Sequence, residues 1–165
     1  MYICVFRAFG LAKPKRVAPK PIVIESKKQI DGETLRALIS NRFQVMSYYT
    51  NKVLMPVFKQ EQLKADIQDL SLWKKTKRLL GRQTNFLDKN SENLLSSLLT
   101  LSSPVREAYS YRERLQNIWE QTTATQKELL EDLHEWCQAA EASGVQALQD
   151  FSAYLKSYAL TRTVL

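Results

Sequence analysis

The chain has 165 residues, 24 Lys and Arg against 17 Asp and Glu for a net charge of +7, and 44% hydrophobic residues, enough for one ordinary domain with its own core. One histidine and two cysteines, Cys4 and Cys137, exclude a multi-histidine metal site, a zinc cluster and a disulfide scaffold, and the cysteines read as reduced thiols. Four glycines and five prolines are too few for a sheet-rich fold of tight turns or for a low-complexity chain.

In chain order, Met1–Ala12 (MYICVFRAFGLA) comes first, an apolar start interrupted by Arg7. It is shorter than the ~20 residues of a spanning helix and lacks the basic start and cleavage site of a signal peptide. Residues 13–30 form a Pro-rich basic linker. Pro14, Pro19 and Pro21 remove amide donors and bias their predecessors away from helix, so the run is predicted to be extended. Apolar residues followed at once by Lys13, Lys15, Arg16 and Lys20 make an amphipathic anchor with a polybasic flank, a pattern suited to an anionic membrane surface.

From Asp31 the pattern is helical almost throughout, and residues 31–160 are predicted to form a bundle, with 161–165 as a tail. Asp31 is an N-cap, and Leu35, Leu38, Ile39, Phe43, Met46, Tyr49 and Val53 follow at spacings of three and four. Pro56 is expected to kink or end that helix. A second helical stretch carries Leu63, Ile67, Leu70, Trp73 and Leu80, closing near Gly81. A third begins at Asn90–Ser91 and presents Leu94, Leu95, Leu98 and Leu99. Pro104 suits the first turn of a fourth, with Val105, Ala108, Tyr109, Leu115 and Trp119 on its apolar side. Thr125 and Glu128 fit a capping box for a fifth, which would bury Leu129, Leu133, Trp136, Cys137 and Ala140 and end at Gly144. A last helix presents Leu148, Phe151, Leu155 and Tyr158. Each helix has one apolar stripe, so several must share a core. The predicted fold is all-α, an elongated antiparallel helical bundle.

Little in this pattern carries catalytic chemistry. His134 and Cys137 are three apart and share a helical face, as a thiol–imidazole pair would require, but no Gly-rich oxyanion loop accompanies them. Glu131-x-x-His134 is a single match to the di-iron bundle motif, and a second histidine is missing. Glycine-rich phosphate loops and nucleophile elbows are absent from the sequence. Catalytic, cofactor-binding and metal-binding residues are therefore expected to be absent.

Charge is uneven. Residues 1–30 hold seven basic side chains and one acid, residues 31–82 ten and five, and residues 83–165 seven and eleven. Lys74, Arg78 and Arg82 recur every four residues, beside Lys75 and Lys77, and such a stripe can track phosphates. The competing readings are a face that is solvated or paired internally with the acidic run Glu128, Glu131, Asp132 and Glu135, and a face for an anionic membrane surface or a protein partner.

Two family resemblances attach to longer runs. FRAFGLAKPKRVAPKP (Phe6–Pro21), LRALISNRFQVMSYY (Leu35–Tyr49) and LHEWCQAAEASGVQALQDFSAYLKSY (Leu133–Tyr158) resemble the region after the last histidine box of bacterial membrane fatty-acid desaturases. This resemblance implies an oxidoreductase family in lipid metabolism, whose di-iron centre is held by histidines that do not map onto this chain. The chain would then be a non-catalytic cytoplasmic helical extension, peripheral to the inner membrane. Lys13, Lys15, Arg16 and Lys20 would contact headgroups, and the partner would be the membrane-embedded core, another protein or a second copy. The run Leu133–Tyr158 is also similar to the stretch preceding the last catalytic acidic motif of insertion-sequence transposases, a Ser-Asn-Gly-x-x-Glu-Gly run that this chain does not contain. That second resemblance implies a nucleic-acid-binding piece, with Lys74, Arg78 and Arg82 as its contacts.

Overall fold

A computed structural model describes residues 29–158, and every regular element among them is helical. The all-α expectation and the helical bundle hold. The apolar start, the linker as far as residue 28, the last two residues of the predicted bundle (159–160) and the tail 161–165 lie outside the described residues, as do Lys13, Lys15, Arg16 and Lys20.

Helix α1 (Gly32–Ser40) starts as its sequence predicts: Asp31 caps it, its carboxylate accepting from the Thr34 amide at 2.8 Å. Asn41 then leaves helical geometry and returns its side-chain amide to the Ala37 carbonyl at 2.7 Å, which separates α1 from α2 (Arg42–Tyr49). Pro56 does not end the helical rod. A π-helical turn (Thr50–Leu54) leads directly into α3 (Met55–Lys64), which carries Pro56 in its first turn. Proline lacks an N–H and its ring crowds the carbonyl four residues back. The widened turn, in which the Met55 amide reaches five residues back to Thr50, accommodates that ring without breaking the rod.

The second predicted stretch divides. Helix α3 stops at Lys64 because Ala65 turns extended, and α4 spans only Leu70–Thr76. Leu63 and Ile67, expected on its buried stripe, are each 88% exposed. Phe43, placed on the first stripe, is 71% exposed. On a 3.6-residue turn it lies roughly 120° from the centre of the face carrying Val45, Tyr49 and Val53.

The remaining elements follow their local signals closely. A single 3-10 turn (Thr84–Phe86) precedes α5 (Lys89–Leu101), which buries Leu95 and Leu98 and is capped by Asp88 rather than by Asn90–Ser91. Helix α6 (Ser103–Glu120) has Ser102 as N-cap and Pro104 in its first turn. Helix α7 (Gln126–Ala142) opens on the complete Thr125/Glu128 capping box. Gly144 ends it with φ of +73°, a left-handed conformation that L side chains avoid. A Cβ there would meet nothing within 4 Å, so only backbone strain opposes a substitution. Gly144→Ala is expected to cost about 1–2 kcal/mol and to lower the melting temperature; a thermal melt checks it. Helix α8 (Gln146–Lys156) comes directly after and buries Leu148, Phe151 and Leu155.

Helix α6 is central, packing on α2, the π-turn, α3, α5 and α7, while α8 lies on α7 and the π-turn. Rings knit these elements together. Tyr49 meets Phe151 edge-on at 4.9 Å, and Trp136 meets Tyr111 at 5.7 Å and Phe151 at 5.6 Å. Their polar ends are satisfied too: Tyr49 Oη donates to the Ala108 carbonyl at 2.7 Å, Tyr111 Oη to Ala139 at 2.9 Å and Trp136 Nε1 to Tyr111 at 2.9 Å. Ile30 is buried in the same core, so the packed unit begins before the cap of α1.

Candidate nucleic-acid interface

Residues 29–158 hold sixteen basic and sixteen acidic side chains. The bundle therefore has no net charge, and any anion-binding surface must come from local segregation of charge. The strongest segregation is the span from Leu70 to Leu87, which contains five cations and no acid.

Trp73, Thr76, Leu79 and Leu80 are buried, which turns Lys74, Lys75, Lys77, Arg78 and Arg82 outward. Only the first two lie in α4. Beyond Thr76 the chain tightens into turns closed by Leu79 N–H to Thr76 O at 2.8 Å and Arg82 N–H to Leu79 O at 3.0 Å. Lys74, Arg78 and Arg82 are therefore not a single helical stripe. They form a ridge that runs off the end of α4 into the next turn.

Three of the four acids of the predicted counterpart are occupied elsewhere. Glu128 accepts from the Thr125 amide at 2.6 Å and from its hydroxyl at 2.8 Å, Glu131 pairs with Lys127 at 3.7 Å, and Asp132 accepts from Gln121 at 2.8 Å. Glu141 holds Lys156 and Ser152. Helix α7 packs on α1, α6 and α8, whereas α4 packs on α5. Among the described residues none of the five ridge cations has an ion-pair partner, so internal pairing of the ridge is not realised.

These acids set a pH response. The Thr125 amide and hydroxyl hold Glu128 below the ordinary 4.5, and the Lys156 ammonium does the same for Glu141. A depressed folded value stabilises above pH 4.5 and is lost as pH falls through the folded value. Stability is expected to decline on acidification from that point, and Glu141→Gln should flatten part of the decline. Chemical unfolding across roughly pH 2–7 reads it. An unchanged slope would remove Glu141 from the account.

The histidine–cysteine pair is not arranged as an activated nucleophile. Nε2 of His134 lies 3.1 Å from both the amide nitrogen and the carbonyl oxygen of Ile30, accepting or donating according to tautomer. Cys137 is buried, and burial pushes its thiol up, the opposite of activation. Among the described residues no three His, Cys, Asp or Glu side chains gather as a metal site requires.

One polar residue on the inner face went unsignalled. Arg112 is only 3% exposed, sits on the α6 face between Ala108, Tyr109 and Leu115, and donates from Nη2 to the Gly81 carbonyl at 3.0 Å. Its Nε has no partner, an arrangement that costs about 1–3 kcal/mol. Burial pulls its pKa below the ordinary value, yet a guanidinium stays charged. Its spacing from Val105, Ala108 and Leu115 already places it inward. The bond to Gly81 also anchors the ridge turn to the central helix.

A family model described as a transposase, of the DDE type named for ISL3, matches residues 36–161. The chain belongs to the ISL3-type transposase family. The transposase for insertion sequence element IS1001 of Bordetella parapertussis is 28% identical over 124 residues, 73% of this chain and 30% of that protein. The chain thus spans under a third of the length of this relative. No solved structure matches it.

Membership of the transposase family corrects the desaturase resemblance. The runs Leu35–Tyr49 and Leu133–Tyr158, read as desaturase-like, fall almost entirely within the transposase match. With them go fatty-acid desaturation, lipid metabolism and oxidoreductase chemistry. Short helical runs of Leu, Ala, Tyr and Gln satisfy the same amphipathic pattern in unrelated bundles, which is why they resemble a second family. The headgroup contacts expected of Lys13, Lys15, Arg16 and Lys20 come from their apolar and polybasic pattern as well, and these residues lie outside the described ones. Among the described residues no helix is long and apolar enough to cross a membrane.

Proposed function

We propose that this chain is a DNA-contacting helical part of an insertion-sequence transposase, and that Lys74, Arg78 and Arg82, with Lys75 and Lys77, meet the phosphate backbone. The observation that carries the reading is the ridge itself, five exposed cations with no acid in their span and no ion-pair partner among the described residues. Phosphate contacts position a protein on DNA without reading sequence, which suits a surface of Lys and Arg free of base-reading geometry. Family membership supports the choice of nucleic acid as the anion, and the naming of the Bordetella relative after an insertion sequence supports DNA as the substrate. The role assigned is binding and positioning, and no catalytic role is assigned within 29–158.

The test is duplex binding by the 165-residue chain, measured by fluorescence anisotropy as salt is raised. Replacing Lys74, Arg78 and Arg82 by serine should weaken binding and reduce its salt dependence. Binding unchanged in the triple variant would overturn the assignment of the ridge.

A further inference from the structure

Beside the ridge, a cleft of about 340 Å³ opens between α2 with its π-turn, the turn after α4, and α6. Phe43, Ser47 and Asn51 line one wall, and Gln83, Arg112 and Gln116 line the other. Its size falls in the range of small-ligand sites, and no carboxylate lines it. Glu113, next to Arg112, accepts from the Thr84 hydroxyl at 2.8 Å and belongs to a neighbouring cleft.

Three features point to one kind of occupant. Phe43 is a large aromatic left 71% exposed, with the Arg42 guanidinium 4.8 Å from its ring centroid. Asn51 and Gln83 offer amide donors and acceptors together, the mixture that a nucleobase edge presents, and Gln116, whose amide nitrogen donates to Glu120 at 2.8 Å, adds its carbonyl oxygen. Arg112 is buried with one donor tied to Gly81 and Nε unpartnered. Nε is sealed inside the fold, and what Arg112 gives the cleft wall is the charge of its guanidinium. Arg82, exposed between the lining residues Gly81 and Gln83, continues the cations of the ridge.

We propose that this cleft takes one unpaired nucleotide of a DNA strand, its base stacked on Phe43 and its edge met by the amides and Arg112. In a duplex a base has both faces stacked and its pairing edge occupied, so only an unpaired or extruded base can enter. Base–aromatic stacking of this kind tolerates any sequence. The proposal rests on nucleic acid being the partner, and it assigns a site separate from the ridge.

Phe43 is exposed, so its replacement leaves the core intact and tests the cleft cleanly. The 165-residue chain is titrated with a short single-stranded oligonucleotide, with its blunt duplex, and with the single strand carrying 2-aminopurine. Phe43→Ala is expected to weaken single-strand binding roughly ten- to a hundredfold and to abolish 2-aminopurine quenching, with duplex affinity unchanged. Phe43→Trp should retain both signals, and Phe43→Leu should lose them, since an apolar side chain without a ring cannot stack. Single-strand affinity and quenching that survive in Phe43→Ala overturn the cleft while leaving the ridge standing. Duplex binding that survives in the Lys74, Arg78 and Arg82 serine variant overturns the ridge while leaving the cleft. Absence of binding to either DNA overturns both.

Discussion

Trp136→Ala is expected to remove about 3–5 kcal/mol of stability, a large share of the roughly 5–15 kcal/mol that holds a domain together. The indole is 1% exposed and sits where α2, α6, α7 and α8 converge. Its truncation would leave a cavity facing Tyr49, Tyr111 and Phe151, and the edge-on ring contacts would be lost with it. The indole N–H also donates to the Tyr111 carbonyl at 2.9 Å. Trp136→Phe keeps a ring but not that donor, and it should fall well short of the alanine loss. Urea midpoints at unchanged slope read both. A loss below about 1 kcal/mol for alanine would show that the four helices do not close around this side chain.

For the ridge the larger effect is in the salt dependence of binding. Each phosphate neutralised contributes roughly 0.9 to the slope of log affinity against log salt on duplex DNA. Serine at Lys74, Arg78 and Arg82 should therefore reduce the slope by roughly 2.7. Between about 50 and 200 mM salt the unaltered chain should lose roughly 40-fold more affinity than the variant. Comparing slopes removes the contribution of basic residues outside 29–158, which is common to both proteins. Lys64 and Lys127 provide a control, being exposed cations already facing Glu61 and Glu131. Serine at those two positions should leave the slope unchanged. An equal reduction from the control pair would show that net charge, and not the ridge, governs binding.

The parts of the fold that were legible in the sequence are those governed by local rules. A capping box needs residues three apart, and Thr125 and Glu128 form one. A left-handed helix end favours glycine, and Gly144 supplies it. A first-turn proline starts α6 after Ser102, and the spacing of Leu148, Phe151, Leu155 and Tyr158 marks their buried face. Side chains, caps and turns within one element interact over one helical repeat, so periodicity reports them directly.

Long-range choices were not legible in this way. Pro56 carries a local instruction to break a helix, and it is overruled because the π-turn before it widens the backbone while Val53 and Leu54 stay in the core. Leu63, Ile67 and Phe43 fit a helical pattern of threes and fours, yet no helix packs over them, and a stripe counts as core only where a second element meets it. The ridge shows the same division. Its five cations are plain in the sequence, but their freedom from the acidic run depends on α4 lying on α5 and α7 lying elsewhere.

The candidate cleft lies furthest from what periodicity reports. Arg112 could have been placed on the inner face of α6 from its register, but its Gly81 partner is 31 residues away and the amides around it come from three separate elements. Composition and spacing thus settled the class of fold, the starts of α1 and α6, both ends of α7, and the segregation of basic from acidic residues, because each depends on neighbours within a turn or two. Which apolar residues stay exposed, which charges remain unpaired, and which polar groups meet in one cleft were settled by packing. Those outcomes depend on contacts between residues far apart in the chain, and they exist only once the helices have docked.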